Sequence, residues 1–157
     1  MKPHFRRYSP LAALILLLAL LNITKFSVNA NFSITEIKAV AELSFPDNDG
    51  KPSDWIEITN TGDSSASLEG HFLTNNANDL TRWKFPAVNL RKGESIIVFA
   101  SAKNRINPDE PLHASFTLDR KGDYLALIAP DGSSVVSGFD EGYPEQYPGS
   151  SYGYGTS

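Results

Sequence analysis

The sequence predicts an all-β protein, a sandwich or a barrel, and three observations carry that prediction. After residue 30 no stretch keeps apolar residues at i, i+3, i+4 and i+7 over three turns. Short alternating or wholly apolar runs recur instead, separated by turn residues. Eight such runs fit between residues 33 and 140, a spacing suited to two packed sheets or a closed one.

In chain order, the first run is "SITEIKAV" (33–40), and "PDNDGKPS" ends the excursion that follows it. The second, "DWIEITN" (54–60), sets Ile56 and Ile58 on one face and Trp55, Glu57 and Thr59 on the other. The Ile pair is the expected core side, because β-branched apolar side chains lose least by being fixed there. Asn60-Thr61-Gly62-Asp63 then turns the chain. "SLEGHFLT" (67–74) and "TRWKF" (81–85) are the third and fourth runs, parted by "NNAND". "ESIIVFAS" (94–101) puts Ile97 and Phe99 opposite Ile96 and Val98, so both of its faces are apolar. "ASFTLD" (114–119) follows the polar loop "KNRINPDEP". "DYLALIAP" (123–130) places Tyr124, Ala126 and Ile128 against Leu125 and Leu127, and "SVVSGFD" (134–140) is the last run. The two runs apolar on both sides are expected to be central strands.

The first 30 residues are read as a secretory signal and set apart from the fold. Lys2, Arg6 and Arg7 precede an apolar run of 11 residues, and Val28 and Ala30 offer small side chains for cleavage after Ala30. The apolar run falls short of the about 18 residues a membrane span needs, so no stable span is expected once the signal is cut. Removing it takes away four of the 14 basic residues and none of the 18 acidic ones, leaving a net charge near −8. Such a surface repels phosphate backbones, which argues against nucleic acid as a partner. Cysteine is absent, which excludes thiol chemistry and Cys-ligated zinc. What remains is the size of one domain, residues 31–142. Residues 143–157, "YPEQYPGSSYGYGTS", show no strand pattern and read as a Gly/Pro/Ser/Tyr-rich tail, or as the truncated end of the domain.

Taken together, "SDWIEITNTGD" (53–63), "LEGHFLT" (68–74), "RWKFP" (82–86), "GESIIVFAS" (93–101), "LHASFTL" (112–118), "GDYLALIAPDG" (122–132) and "SYG" (151–153) resemble the lamin tail domain in its exported bacterial form. The resemblance implies an immunoglobulin-like β-sandwich without catalysis, an accessory module of secreted or cell-surface chains. It implies no cofactor. His71 departs from it, standing where the family more often carries Trp.

Several motifs invite a chemical reading. "GSSYG" (149–153) matches G-x-S-x-G around Ser151, yet neither an acid nor a His follows to activate the hydroxyl, so a solvated turn is expected. "PDNDGKPSD" gathers Asp47, Asp49 and Asp54 around Gly50, like part of a calcium loop, although Phe45 and Ile56 fall where first and twelfth ligands would stand. His71 and His113 show no metal-binding spacing. "NFS" (31–33) is a glycosylation acceptor pattern, of use only in a eukaryotic host. Trp55 and Trp83 could form a platform for sugars or peptides, or cover a second layer.

The expected binding residues are therefore Trp55, Trp83, Asp47, Asp49 and Asp54, with no catalytic and no metal residue. The expected function is a non-enzymatic interaction or spacer module, its partner a protein or a cell-surface polymer. The alternative is a carbohydrate-binding accessory domain of an extracellular hydrolase, stabilised by calcium.

Overall fold

Ile56 and Ile58, the expected core pair, are both fully buried, and the architecture is built around them. The computed structural model describes residues 31–42 and 45–153; the expected signal and its cleavage point lie outside them. Among the described residues there are eleven strands and no helix. They are β1 (Phe32–Lys38), β2 (Asp54–Asn60), β3 (Ala66–Ser67), β4 (Phe72–Thr74), β5 (Trp83–Lys84), β6 (Asn89–Leu90), β7 (Ser95–Ala100), β8 (Leu112–His113), β9 (Leu125–Ile128), β10 (Val135–Phe139) and β11 (Tyr152–Gly153). One sheet has the order β11-β1-β2-β7-β8, the second β10-β9-β4-β5, and β3 and β6 form a two-stranded pair. All pairings are antiparallel except β7 with β8.

The core unites Ile34, Ile37, Ile56, Ile58 and Val98 of the first sheet with Leu73, Trp83, Leu125 and Leu127 of the second. Period-2 alternation delivers these side chains to one shared layer, and their burial supplies the main driving force for folding. The chain is thus an all-β, immunoglobulin-like sandwich. As expected from their two-sided apolar character, β7 and β9 are interior strands of their sheets.

Two readings need correction. "SLEGHFLT" is not one strand: Gly70, at φ 79°, breaks it, and β3 pairs instead with the unforeseen β6. "ASFTLD" keeps its alternation, with Ala114, Phe116 and Leu118 buried, but forms no ladder beyond a bridge between Ser101 and Thr117. Its neighbour is the 101–105 loop, where Ala102 (φ 59°) and Asn104 (φ 52°) let single amides bond to Phe116 and Ala114 in place of a continuous strand. The chain pairs as β8 just before this stretch, in parallel with β7.

The sequence left residues 143–157 open between a tail and the truncated end of the domain. Residues 143–153 pack on the sandwich. Tyr143 is buried; its hydroxyl accepts the Asp119 amide and donates to the Asp119 carbonyl, both at 2.9 Å. The Tyr143 and Gln146 amides donate to Asp123 and Arg120, and β11 then pairs with β1. A bulge after Ile34 divides the β1 edge: Glu36 and Ile37 pair with β11, while the Ile34 amide donates to Ser137 of β10 at 3.0 Å. Composition hid this segment because its anchors are backbone groups and one phenol, which leave no periodic trace.

Candidate functional site

Trp55 faces away from the core, as alternation requires, and is nevertheless only 8 % exposed. Strand register aligns Lys38, Trp55, Phe99 and His113 across β1, β2, β7 and β8 on this outer face. Residues 45–53 form a strap over the row. Phe45 stacks on Trp55 with ring centroids 5.5 Å apart and 27° between planes, and meets Phe99 edge-on at 5.8 Å. Phe99 in turn stacks on His113 at 5.2 Å.

Asp47 is the keystone of the strap. A bridge between Pro46 and Pro52 closes the loop, the Asp47 amide donates to Lys51, and Gly50 takes φ 71° at its tip. The Asp47 carboxylate is itself buried and accepts from the amides of Asp49 (2.9 Å) and Lys51 (3.1 Å), from Ser53 (2.7 Å) and from Lys103 Nζ (2.5 Å). Burial works to raise its pKa, but Lys103, Ser53 and the two amides outweigh burial and hold the group far below the ordinary carboxylate range. Asp49 accepts both Arg105 guanidinium nitrogens, at 3.0 and 2.8 Å, and Lys103 at 2.7 Å. The Arg105 fork, followed by Lys103, brings its pKa down to about 2. Asn48, between the two acids, accepts from Arg105 at 3.3 Å and bonds His113 Nε2 at 2.8 Å.

His113 is fully buried, and its Nδ1 lies 2.7 Å from Ser101 Oγ. Burial pushes its pKa down, and Lys103 and Arg105 push the same way against Asp47 and Asp49, which favours the neutral ring. With Nε2–H donating to Asn48, Nδ1 is left to accept from Ser101. Ser101, His113 and Asn48 thus form a hydrogen-bonded chain of the types a hydrolase uses. The Ala102 amide, next to Ser101, donates to the Phe116 carbonyl and so does not face the hydroxyl as an oxyanion donor would.

The expected site residues separate into two groups. Trp55, Asp47 and Asp49 come together beneath and within the strap. Trp83 does not join them: it is a core residue, 2 % exposed and packed edge-on to Phe85 at 4.7 Å, so it offers no platform. Asp54 points to the other side of β2 from Trp55; it accepts the Leu118 amide, and burial raises its pKa to about 6. The acids of the would-be calcium loop are therefore split, with two of them clamped by side-chain cations. Among the described residues no three His, Asp or Glu side chains gather closely enough to hold a metal ion. His71 packs edge-on against Phe32 at 5.4 Å and bonds the Leu68 carbonyl. Ser151 donates to Glu36 and precedes β11. A cleft of about 570 Å³ lies between residues 39–42 and 117–123, and its side chains include Glu42, Asp119 and Asp123 but no imidazole.

Sequence reading passed over Phe45, Asn48, Phe99, Ser101, Lys103, Arg105 and His113 as parts of this site. A signal did exist for some of them: Phe99 lies on the outward side of its strand, and two cations stand two residues apart in an otherwise acidic chain.

The geometry defines a class first: an immunoglobulin-like sandwich whose polar clusters tie loops together. Residues 27–140 match the family model described as Lamin Tail Domain. The chain belongs to the lamin tail domain family, which is immunoglobulin-like and non-catalytic. A search of curated proteins returns no match.

Proposed function

We propose that the protein is a non-enzymatic interaction or spacer module, exported after cleavage behind Ala30 and acting in secreted form or at the cell surface. Its binding surface is the end of the sandwich where the strap (45–53) meets the loop 101–110. One observation carries this reading: Ile106, 55 % exposed, stands on a loop that Lys103 and Arg105 bond to the strap through Asp47 and Asp49. Apolar side chains held out to water on pre-organised loops suit a docking surface, because little ordering entropy remains to be lost on binding. The partner is a protein or a cell-surface polymer. Nucleic acid is disfavoured by the charge near −8.

The test uses the full-length gene in its own host. N-terminal sequencing of the extracellular or surface fraction should begin at Asn31, and the labelled mature protein should bind the host's surface. Ile106→Asp should reduce that binding at least tenfold with an unchanged circular dichroism spectrum. Retention in the cytoplasm, binding indifferent to Ile106→Asp, or ester hydrolysis lost in Ser101→Ala each overturns the proposal.

A further inference from the structure

Three cross-strand rows can be compared on the outer face of the five-stranded sheet. Ser33, Thr59 and Ser95 form one, and Glu36, Glu57 and Ile97 the next. The third, Lys38, Trp55, Phe99 and His113, concentrates the rings at one end. Rings on an outward sheet face are favourable only when something covers them. Here the cover is the chain itself, and it makes contact nearly residue by residue. Phe45 fills the slot over Trp55 and Phe99. Asp47 meets Lys103, Asn48 meets His113 and Arg105, and Asp49 meets Lys103 and Arg105.

We propose that this surface is a recognition site for an acidic peptide segment with an aromatic anchor, and that residues 45–49, Phe-Pro-Asp-Asn-Asp, occupy it as a built-in pseudo-ligand. The inference rests on the interaction-module reading and names the chemistry of the partner. A ring slot alone would suit many ligands. The two cations decide the class, because an uncharged ligand would leave Lys103 and Arg105 without the carboxylates they now hold, whereas an acidic segment replaces both. The Arg105 fork donates two parallel bonds to a carboxylate edge, so the position of the acid after the ring is specified as well as its charge. Tethering gives the strap a high effective concentration, so a free partner competes at a disadvantage until the strap lifts. Its outer hold, Asp49 to Lys103 and Arg105, involves partly exposed groups that salt screens. Asp47 is the inner and firmer hold.

The experiment titrates a fluorescently labelled synthetic peptide with the sequence of residues 45–52 and reads its anisotropy. The Phe45→Ala, Asp49→Asn double variant vacates the ring slot and the outer clamp while keeping the Asp47 bonds. It should bind the peptide at least tenfold more tightly than the wild-type protein. The affinity should fall at least tenfold when the peptide's Phe is replaced by Ala or its Asp residues by Asn, and Arg105→Glu added to the double variant should abolish it. If the double variant does not melt cooperatively, Asp49→Asn alone, which frees the Arg105 fork, should bind the peptide more tightly than the wild-type protein and lose that gain with the Asp-to-Asn peptide. Absence of binding by a cooperatively melting variant, or equal binding of the Asp-to-Asn peptide, overturns the pseudo-ligand. Surface binding that still depends on Ile106 would then leave the module reading standing, so the two failures are distinct.

Discussion

Two segments outside the expected strands lie against the same sandwich, and they are held in opposite ways. The strap is fixed by charged side chains: Asp47 and Asp49 reach across to Lys103 and Arg105. The C-terminal segment is fixed by a buried phenol, by backbone bonds to Asp119, Arg120 and Asp123, and by strand pairing. Charged fastenings weaken with salt and with protonation, whereas buried rings and amide bonds respond to neither. One fastening is therefore sensitive to salt and the other is not.

The sharpest test of that contrast is Tyr143→Ala. It removes a buried ring and both bonds to Asp119 and should cost about 3–5 kcal/mol in urea unfolding. Tyr143→Phe should cost about 1 kcal/mol. Losses independent of added salt are expected for both, and a strong salt dependence would break the comparison.

Gly122→Ala probes the same fastening from the other side. Gly122 sits at φ 97°, and an added Cβ would lie 2.1 Å from the Tyr143 carbonyl oxygen, so the segment must shift. Destabilisation of about 2–3 kcal/mol is expected from the strained backbone and the clash.

At the strap, Asp47→Ala strips Lys103 and Ser53 of their shared acceptor and should cost about 1–3 kcal/mol, discounted because the lysine is partly exposed. In contrast to the Tyr143 variants, the difference from wild type should shrink as sodium chloride is raised. A salt-independent penalty would mean that the ion pair contributes nothing beyond the hydrogen bonds.

The smallest effect is a pair of opposed pH slopes. Beneath the strap, His113 has a folded pKa below its ordinary value, so it contributes stability above about pH 6.5 that is lost as the pH falls through the folded pKa. Next to the C-terminal fastening, Asp54 has its pKa raised to about 6 from 3.8. Its contribution is fully present below the ordinary value and is lost as the pH rises through 6. Asp54→Asn, which keeps an acceptor for the Leu118 amide, should melt higher than wild type above pH 6 and fall more steeply between pH 6 and 4. Parallel melting curves for the two proteins would show that the Asp54 carboxyl is not shifted.

Much of the sandwich could be read in the chain. Alternation marked Ile56 and Ile58 for the core, and two-sided apolar character marked β7 and β9 as interior strands. "SLEGHFLT" and "ASFTLD" were harder, since a single positive-φ Gly70 or an irregular neighbouring loop changes the pairing without changing the alternation. The site was half legible. Asp47, Asp49 and Trp55 could be singled out as unusual, but the partners that give them meaning lie far along the chain; Lys103 is 56 residues from Asp47.

By itself the sequence determined everything that depends on near neighbours: extended backbone, the buried side of each strand, the turns, the surplus of acid and the absence of thiol chemistry. Tertiary structure alone decided that Phe45 would shelter Trp55, that two loop cations would claim the acids, and that an apparent tail would become an edge strand. The physical reason is range. Alternation is imposed within a few residues by chain geometry, whereas ion pairs, ring stacks and ladder bonds form wherever folding brings their partners together.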